Sequence, residues 1–497
     1  MQQAAQYKGN DKLLFGIILG VLAFWLFAQT ILNINVDMAK DLKMETSIMN
    51  IAVSVTSLFS GIFIVVMGGL ADLLGRVKIV KTGFIFSIVG SILVALAPTG
   101  MMATPVLISG RIFQGFSGAC IMPASLALLK TYWEGPARQR AISLWSMGSW
   151  GGSGFCALFG GLVAQNLGWR YIFFASAVIS VLGLLMIKNT PESKIRTSGK
   201  GKSTDIAGIS SFMIVMIALQ VLVSKGSELG WTSMASIILI IVTVVSGAAF
   251  FKIENRKAAP FIDFKLFKNS IFTGATISNF LLNGVAGMLI VSLSLLQVGG
   301  GLTAQAAGVL TLGYAITVTS FIRVGEKLLQ QFGHRKPMIW GCLIVALSIL
   351  LLLPTNLMRD TYKILAVISY TLFGVGLAFY ATPSTDAALS NLPESQAGAG
   401  SGVYKMASSL GAAFGVAISA GIFTGLSTSD TPSSILDNVI TFTGRQDNVA
   451  IRAAAFFALL FNLFMISVAI IAIMKTIPKT DDRNVSAPEK LIQSTDT

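Results

Sequence analysis

Residues 379–411 read FYATPSTDAALSNLPESQAGAGSGVYKMASSLG, from Phe379 to Gly411, and the fold turns on how this stretch is divided. The single break is Asn391–Gln396, where Pro393 sits among polar residues. Small apolar residues on either side suit close helix packing in lipid. The stretch is therefore a helix–turn–helix whose arms carry two charges, Asp386 and Lys405. Their sequence midpoint falls between Ser395 and Gln396. Folding the hairpin there sets an acid and a base at matched depth, roughly 14 Å from the turn at ~1.5 Å per residue. Such a pair can bridge, and a proton can part it.

The rest of the chain fits a membrane setting. Hydrophobic residues make up 54% and charged residues 12%, against ~25% charged in soluble domains, and the mean hydropathy is +0.76. The 497 residues divide into fourteen apolar spans, near 13–34, 47–69, 80–98, 105–129, 141–164, 171–187, 206–224, 235–251, 271–297, 304–322, 337–354, 362–386, 398–424 and 450–474. The first is too long for a signal-peptide core and lacks a small-residue cleavage site. Cys120, Cys156 and Cys342 lie in apolar segments without metal-type spacing, and the lone His334 sits in a basic loop beside Arg335 and Lys336. No metal cluster, no Ser–His–Asp arrangement and no phosphate-binding glycine loop can be assembled. The expectation is no metal, no cofactor and no enzyme.

Loop charge sets the orientation. With the N-terminus cytoplasmic, and with the span-end Lys81, Lys363 and Arg452 counted with their adjoining loops, inner loops and tails carry 26 Lys/Arg, outer loops 8, and the span interiors hold Arg111 and Lys405. Both termini are then expected inside, Lys200 and Lys268 inside, and Glu228 and Asp437 outside. The net charge of +14 needs no nucleic acid, since anionic lipid is its partner.

The chain also repeats itself. Gly68-Gly-Leu-Ala-Asp72-Leu-Leu-Gly75-Arg76 is echoed by Gly325 to Arg335, Pro123-Ala-Ser by Pro383-Ser-Thr, and Trp145 to Gly152 by Tyr404 to Gly411. The offsets are 258 (Gly75 to Gly333), 260 and 259 residues. A near-constant offset predicts an all-α polytopic membrane protein of two parallel six-helix halves with two inserted helices between them, which is a transporter architecture. The expected divisions are residues 1–190, 191–265, 266–476 and a cytoplasmic tail over 477–497.

These motifs resemble those of the major facilitator superfamily. Gly68 to Lys78 is similar to its motif A, with Asp72 and Arg76 in the charged positions, and Leu107 to Gly115, containing Arg111, is similar to motif B of its drug:proton antiporters. Fourteen spans, with the phrases FWLFAQ, WSMGSWGGSG and YATPSTD, resemble the fourteen-span drug:proton antiporter family and its quinolone and multidrug efflux pumps. The resemblance implies a monomeric pump of the bacterial cytoplasmic membrane. It would export lipophilic, cationic or zwitterionic drugs (quinolones, quaternary ammonium compounds, dyes) against protons. Two positions depart from the pattern. Cys156-Ala157 stands where motif C carries Gly-Pro, and Phe27-Ala28-Gln29-Thr30 lacks the acid that the family often has in its first span. Proton coupling is thereby moved elsewhere.

Asp386 is the leading candidate for it, with Lys405 as its partner, Arg111 biasing a nearby acid, and Asp37 at the outer end of the first span second. The repeat positions of Asp386 and Lys405 are Leu126 and Ser146, and that of Arg111 is Thr371, so all three charges are asymmetric. A guanidinium cannot deliver a proton, so Arg111 acts on another group or simply bridges spans 1 and 4 through Gln29 or Asn33. Gly68, Asp72, Gly75 and Arg76 would form an inner gate. A midplane cavity would draw on Trp25, Gln29 and Asn33 from span 1, and Met147 and Trp150 from span 5. Asn279, Phe280 and Asn283 would come from span 9, and Tyr380, Tyr404 and Met406 from spans 12 and 13. Aromatic and thioether surfaces suit varied flat compounds, although such residues more often only pack. The competing functions are a facilitator dedicated to one metabolite or lipid, and a channel or sensor, which the repeat disfavours.

Overall fold

The computed structural model describes residues 7–44, 46–193, 205–230, 232–257, 260, 264–302, 304–357, 359–427, 441–443 and 448–479. Lys200 and Asp437 lie outside these, as do the side chains of Asn33 and Glu228. Every regular element among the described residues is a helix, as expected where lipid offers the backbone no partner.

Consecutive segments join into runs labelled here in chain order. Run α1 covers Asp11–Leu22, a π-helical turn Ala23–Phe27, a 3-10 turn Ala28–Thr30 and Ile31–Leu42. Then come α2 (Thr46–Leu74), α3 (Arg76–Ala95) and α4 (Ala103–Tyr132). Run α5 joins Gly135–Ser146, a π turn Met147–Gly151 and Gly152–Asn166, and is followed by α6 (Arg170–Ile187), α7 (Ile206–Leu229) and α8 (Met234–Arg256). Run α9 joins Ser270–Gly284, Gly287–Ser294 and a π turn Leu295–Gly299, and α10 joins Ala304–Val309 and Leu312–Phe332. The last are α11 (Arg335–Leu352), α12 (Arg359–Ser390), α13 (Ala397–Ser427) and α14 (Val449–Thr476).

Each run covers one expected apolar span, but twelve helices among the described residues are long and apolar enough to cross a membrane, not fourteen. The two that fall short are α5 and α7. The first opens on the polar Gly135-Pro-Ala-Arg-Gln-Arg140 and is rich in glycine, which lowers its apolar character, whereas the second enters the count only as Ala207–Leu219. Helix starts are capped locally. Asn10 accepts from Leu13 N–H at 2.8 Å, Asp205 from Gly208 N–H at 2.7 Å, and Asn269 from Ile271 and Phe272 N–H at 3.0 Å. The repeat-equivalent Gly75 (φ 121°) and Gly333 (φ 70°) occupy the left-handed region just before α3 and α11, where a side chain would be strained.

Packing joins distant parts of the chain. Run α13 lies against α2, α9 and α14, while α12 lies against α10 and α11. Two large apolar clusters form the interior. One runs from Leu13 to Phe272 and takes in Ala387, Leu389, Val403 and Tyr404 from the ends of the hairpin, and the other runs from Leu282 to Ile477. The pair α7–α8 packs on α2 and α13 through α7, with Asp205 and Lys257 paired at its ends. Ile237, Ile241, Val244 and Val245 of α8 remain exposed, as lipid-facing residues are.

Runs α9 and α13 touch backbone to backbone. A Cβ on Gly415 would lie 1.9 Å from Gly284 O, and one on Gly411 2.0 Å from Phe280 O. Gly415→Val should force the helices apart and destabilise the fold by about 1–3 kcal/mol, read as a lower thermal unfolding midpoint in detergent. An unchanged midpoint would refute this close contact.

Candidate functional site

The break expected at Asn391–Gln396 lies between α12 and α13, and both of its flanks are held by the N-terminal part of the chain. Asp72, on the last turn of α2, accepts from Gly398 N–H at 2.9 and 3.0 Å and from Ala399 N–H at 3.0 Å. Those are orphan donors of the first turn of α13, so a carboxylate from a distant helix caps it and meets the positive end of its dipole. Arg76 Nε and Nη2 donate to the same carboxylate at 3.0 and 2.9 Å. Arg76 Nη2 also donates to Glu394 O at 2.7 Å, and its Nη1 donates to Ser193 Oγ at 3.2 Å and to Thr131. The approach is possible because residue 68 is glycine: a Cβ there would lie 2.4 Å from Gly398 O. Glu192 completes the cluster by accepting from Val77 and Lys78 N–H at 2.9 and 3.0 Å, capping α3.

The other flank of the turn is held by α4 and α5. Arg138 Nε donates to Asp386 Oδ1 at 3.0 Å and its Nη2 to Ser390 Oγ at 2.8 Å, while Lys130 Nζ donates to Leu389 O at 2.6 Å. His334 Nε2 lies 2.9 Å from Asp386 Oδ2. Asp386 is 1% exposed and Arg138 19% at the side chain, so this is a sheltered ion pair between parts of the chain remote in sequence.

The expected Asp386–Lys405 pair is not formed. Asp386 lies four residues from the end of α12 and Lys405 eight from the start of α13, about 6 and 12 Å along their axes. The six-residue turn is not centred between the two charges, and the arms diverge to different neighbours. Lys405 Nζ sits instead 4.9 Å from the centroid of the Trp145 ring.

Deeper in the bundle a cavity of about 200 Å³ is lined by Trp25, Ser149, Trp150, Ser153, Asn283, Tyr314, Phe373, Leu377, Lys405 and Ser408, among others. Two of its walls are π turns: Trp25 belongs to Ala23–Phe27, and Ser149 and Trp150 to Met147–Gly151. Inserting one residue into a helical turn re-aims the side chains beyond it. Two ends held across a turn, with an aromatic and polar cavity behind them, describe a transport path rather than a reaction centre.

The Major Facilitator Superfamily family model matches residues 13–416. The chain belongs to the major facilitator superfamily. It is 45% identical over 476 residues to the quinolone resistance protein NorB of Staphylococcus aureus strain MRSA252, covering 96% of this chain and 98% of that one. It is 44% identical, with the same coverage, to the NorB of strain bovine RF122 / ET3-1. Among solved structures, the proton:xylose symporter XylE bound to 6-bromo-6-deoxy-D-glucose matches with a TM-score of 0.63 at 16% identity, over 95% of this chain and 96% of that one. The human organic anion transporter MFSD10 matches with a TM-score of 0.56 at 14% identity, over 92% and 98%. These two share its fold. This facilitator is a multi-pass membrane transporter and not an enzyme.

Other expected site residues of this facilitator fall in different places. Arg111 is fully buried, but it holds carbonyls rather than an acid. Its Nε donates to Ala52 O at 2.9 Å and its Nη1 to Ala28 O at 2.7 Å and to Gln114. It thus ties α1 to α2 and α4 through backbone oxygens, without Gln29. Asp37 is exposed near the end of α1, not buried at depth. Of the expected cavity residues, Trp25, Trp150 and Asn283 line it.

The others do not. Gln29 is buried outside that lining. Asn279 binds Tyr404 O and Ser408 Oγ at 3.0 and 2.6 Å, holding α9 to α13. Tyr380 and Tyr404 share hydrogen bonds with Ser384, both at 2.9 Å. The Phe280 ring lies tilted against Phe414 with centroids 6.2 Å apart, and Met406 packs on the first apolar cluster. Met147 lines a separate apolar cleft of about 540 Å³ with Phe15, Leu26, Phe159 and Thr319. A polar residue on an apolar helix satisfies its own hydrogen bonds before it faces a cavity. Conversely, Lys130 and Arg138 read as ordinary loop charges, and Tyr314 and Phe373 as ordinary apolar-span residues.

Proposed function

We propose that this chain is a proton-coupled exporter of quinolones and other flat, lipophilic drugs, working by alternating access in the bacterial cytoplasmic membrane. Its 45% identity, over nearly its whole length, to a quinolone resistance protein carries the reading. The cavity of aromatic and hydroxyl side chains supports it. On this reading the fourteen runs all span the membrane. Runs α1–α6 and α9–α14 form two parallel halves, α7–α8 is an inserted pair, and residues 477–497 are a tail. The pump acts as a monomer in contact with anionic lipid. Both termini and the 391–396 turn face the cytoplasm, which follows from the Lys/Arg bias of the loops.

On this reading the pump runs through the following cycle. With the turn held by Asp72, Arg76, Lys130 and Arg138, the cytoplasmic side is shut. Shutting it needs Asp386 ionised, because Arg138 grips its carboxylate. A protonated Asp386 frees Arg138 and favours the open cytoplasmic side. Release of the proton and closure behind a bound drug are then one step.

Expression in an efflux-deficient bacterial host should raise the inhibitory concentration of a quinolone at least fourfold, and a protonophore should erase the gain. No protection against any quinolone would defeat the proposal. Cysteines placed one at a time at 268 and 228 test the orientation. Only that at 228 should react with an impermeant reagent in intact cells, and labelling at 268 would reverse the topology.

A further inference from the structure

Lys405 is a buried cation without a counter-charge. It is 7% exposed, and among the described residues its ammonium makes no hydrogen bond or ion pair; its contact is the face of Trp145. That ring is pinned by Trp145 Nε1 donating to Ser125 Oγ at 2.9 Å. Asp386 is engaged by Arg138 and His334, and Asp72 by Arg76 and two backbone amides. An ammonium has three donors to satisfy, and leaving them empty in a sheltered site is costly. A ring face offsets only part of that. A second donor on the same cavity wall is also unmatched: Trp25 Nε1 is buried without an acceptor. The cavity therefore presents surplus donors and one positive charge, with no acid in its lining.

We propose that Lys405 docks an anionic group of the exported molecule, a carboxylate above all, while Trp25, Trp150, Tyr314 and Phe373 hold its flat body. This rests on the exporter reading and narrows its substrates. Zwitterions and amphiphilic carboxylates are taken, and permanent cations without a carboxylate, such as quaternary ammonium compounds, meet a like charge and are disfavoured. Ionised donors give the stronger hydrogen bonds to carboxylate, so discrimination should be steep.

The test is calorimetric titration of the purified full-length protein in detergent with a quinolone, its decarboxylated analogue, and ethidium as a carboxylate-free cation. Wild type should bind the quinolone at least tenfold more tightly than its decarboxylated analogue. Lys405→Met should abolish that preference by weakening the quinolone alone, with ethidium binding equal or stronger, and Lys405→Arg should keep most of it. If the methionine variant does not fold, the wild-type comparison and Lys405→Arg still decide. Equal wild-type affinities for the two analogues, or a Lys405→Met protein that keeps the preference, would overturn the inference. Export is read separately in the efflux-deficient host. A protein that shows the carboxylate preference in detergent yet protects no cell would defeat the exporter reading and leave the anion site standing.

Discussion

Gly68→Val is expected to cut export at least tenfold while the protein stays folded and still binds drug. The Cβ at this position meets the Gly398 carbonyl at 2.4 Å and Pro123 Cβ at 3.2 Å. The clash is with backbone across the two parts of the molecule, so it cannot be relieved by a rotamer change, and α2 must part from α13. Overpacking of this kind costs about 1–3 kcal/mol, enough to shift a two-state equilibrium by roughly five- to 150-fold. It also pulls Asp72 from the amides of Gly398 and Ala399. The measurement is drug export beside the reactivity of a cysteine at Ser401, whose hydroxyl donates to Pro123 O at 3.0 Å across the same contact. Reactivity from the cytoplasmic face should rise as export falls. Wild-type export by this variant would remove the contact from the cycle.

Asp386→Asn should have an effect of similar size by a different route. It leaves Arg138 and His334 without the carboxylate they share. A hydrogen bond to a charged group is worth about 1.5–3 kcal/mol, and the partial exposure of both partners keeps the sum below that of a fully buried pair. Uphill export should fall at least tenfold and lose its dependence on the pH gradient, while downhill drug exchange continues. Arg138→Gln weakens the same closure but leaves an acid that titrates, so it should lower export and keep the pH dependence. Gradient-driven export by Asp386→Asn in proteoliposomes would exclude Asp386 as the proton carrier. Equal loss of pH dependence in both variants would make the pair a brace and nothing more.

The fold was legible because lipid enforces it: each apolar stretch of about 20 residues had to become a helix, and the break at Asn391–Gln396 was marked by its polarity and proline. The site was legible in part. Asp72 and Arg76 stood out through the glycines that let them approach the other part of the chain. Trp25, Trp150 and Asn283 were found in the cavity, yet neighbouring candidates such as Tyr380 and Asn279 proved to be hydrogen-bonded braces. Counting residues from a turn yields depth, whereas the direction a side chain faces rotates by about 100° per residue on a 3.6-residue turn. The count for Asp386 and Lys405 also assumed a centred turn. The two π turns of the cavity wall lie beyond such counting, since each shifts the helical phase by one residue and nothing in Ala23–Phe27 or Met147–Gly151 announces it.

The turn between α12 and α13 is clamped at both flanks, by Asp72 and Arg76 on one side and by Lys130 and Arg138 on the other. That duplication bears on leakage. A clamp worth about 2.8 kcal/mol stands open roughly once in a hundred. Two clamps acting on opposite sides of the turn add in free energy to a first approximation, so both stand open together about once in ten thousand. An exporter with either clamp weakened would let protons slip through about a hundredfold more often, so the cell would register the damage as a drained gradient as well as lost resistance.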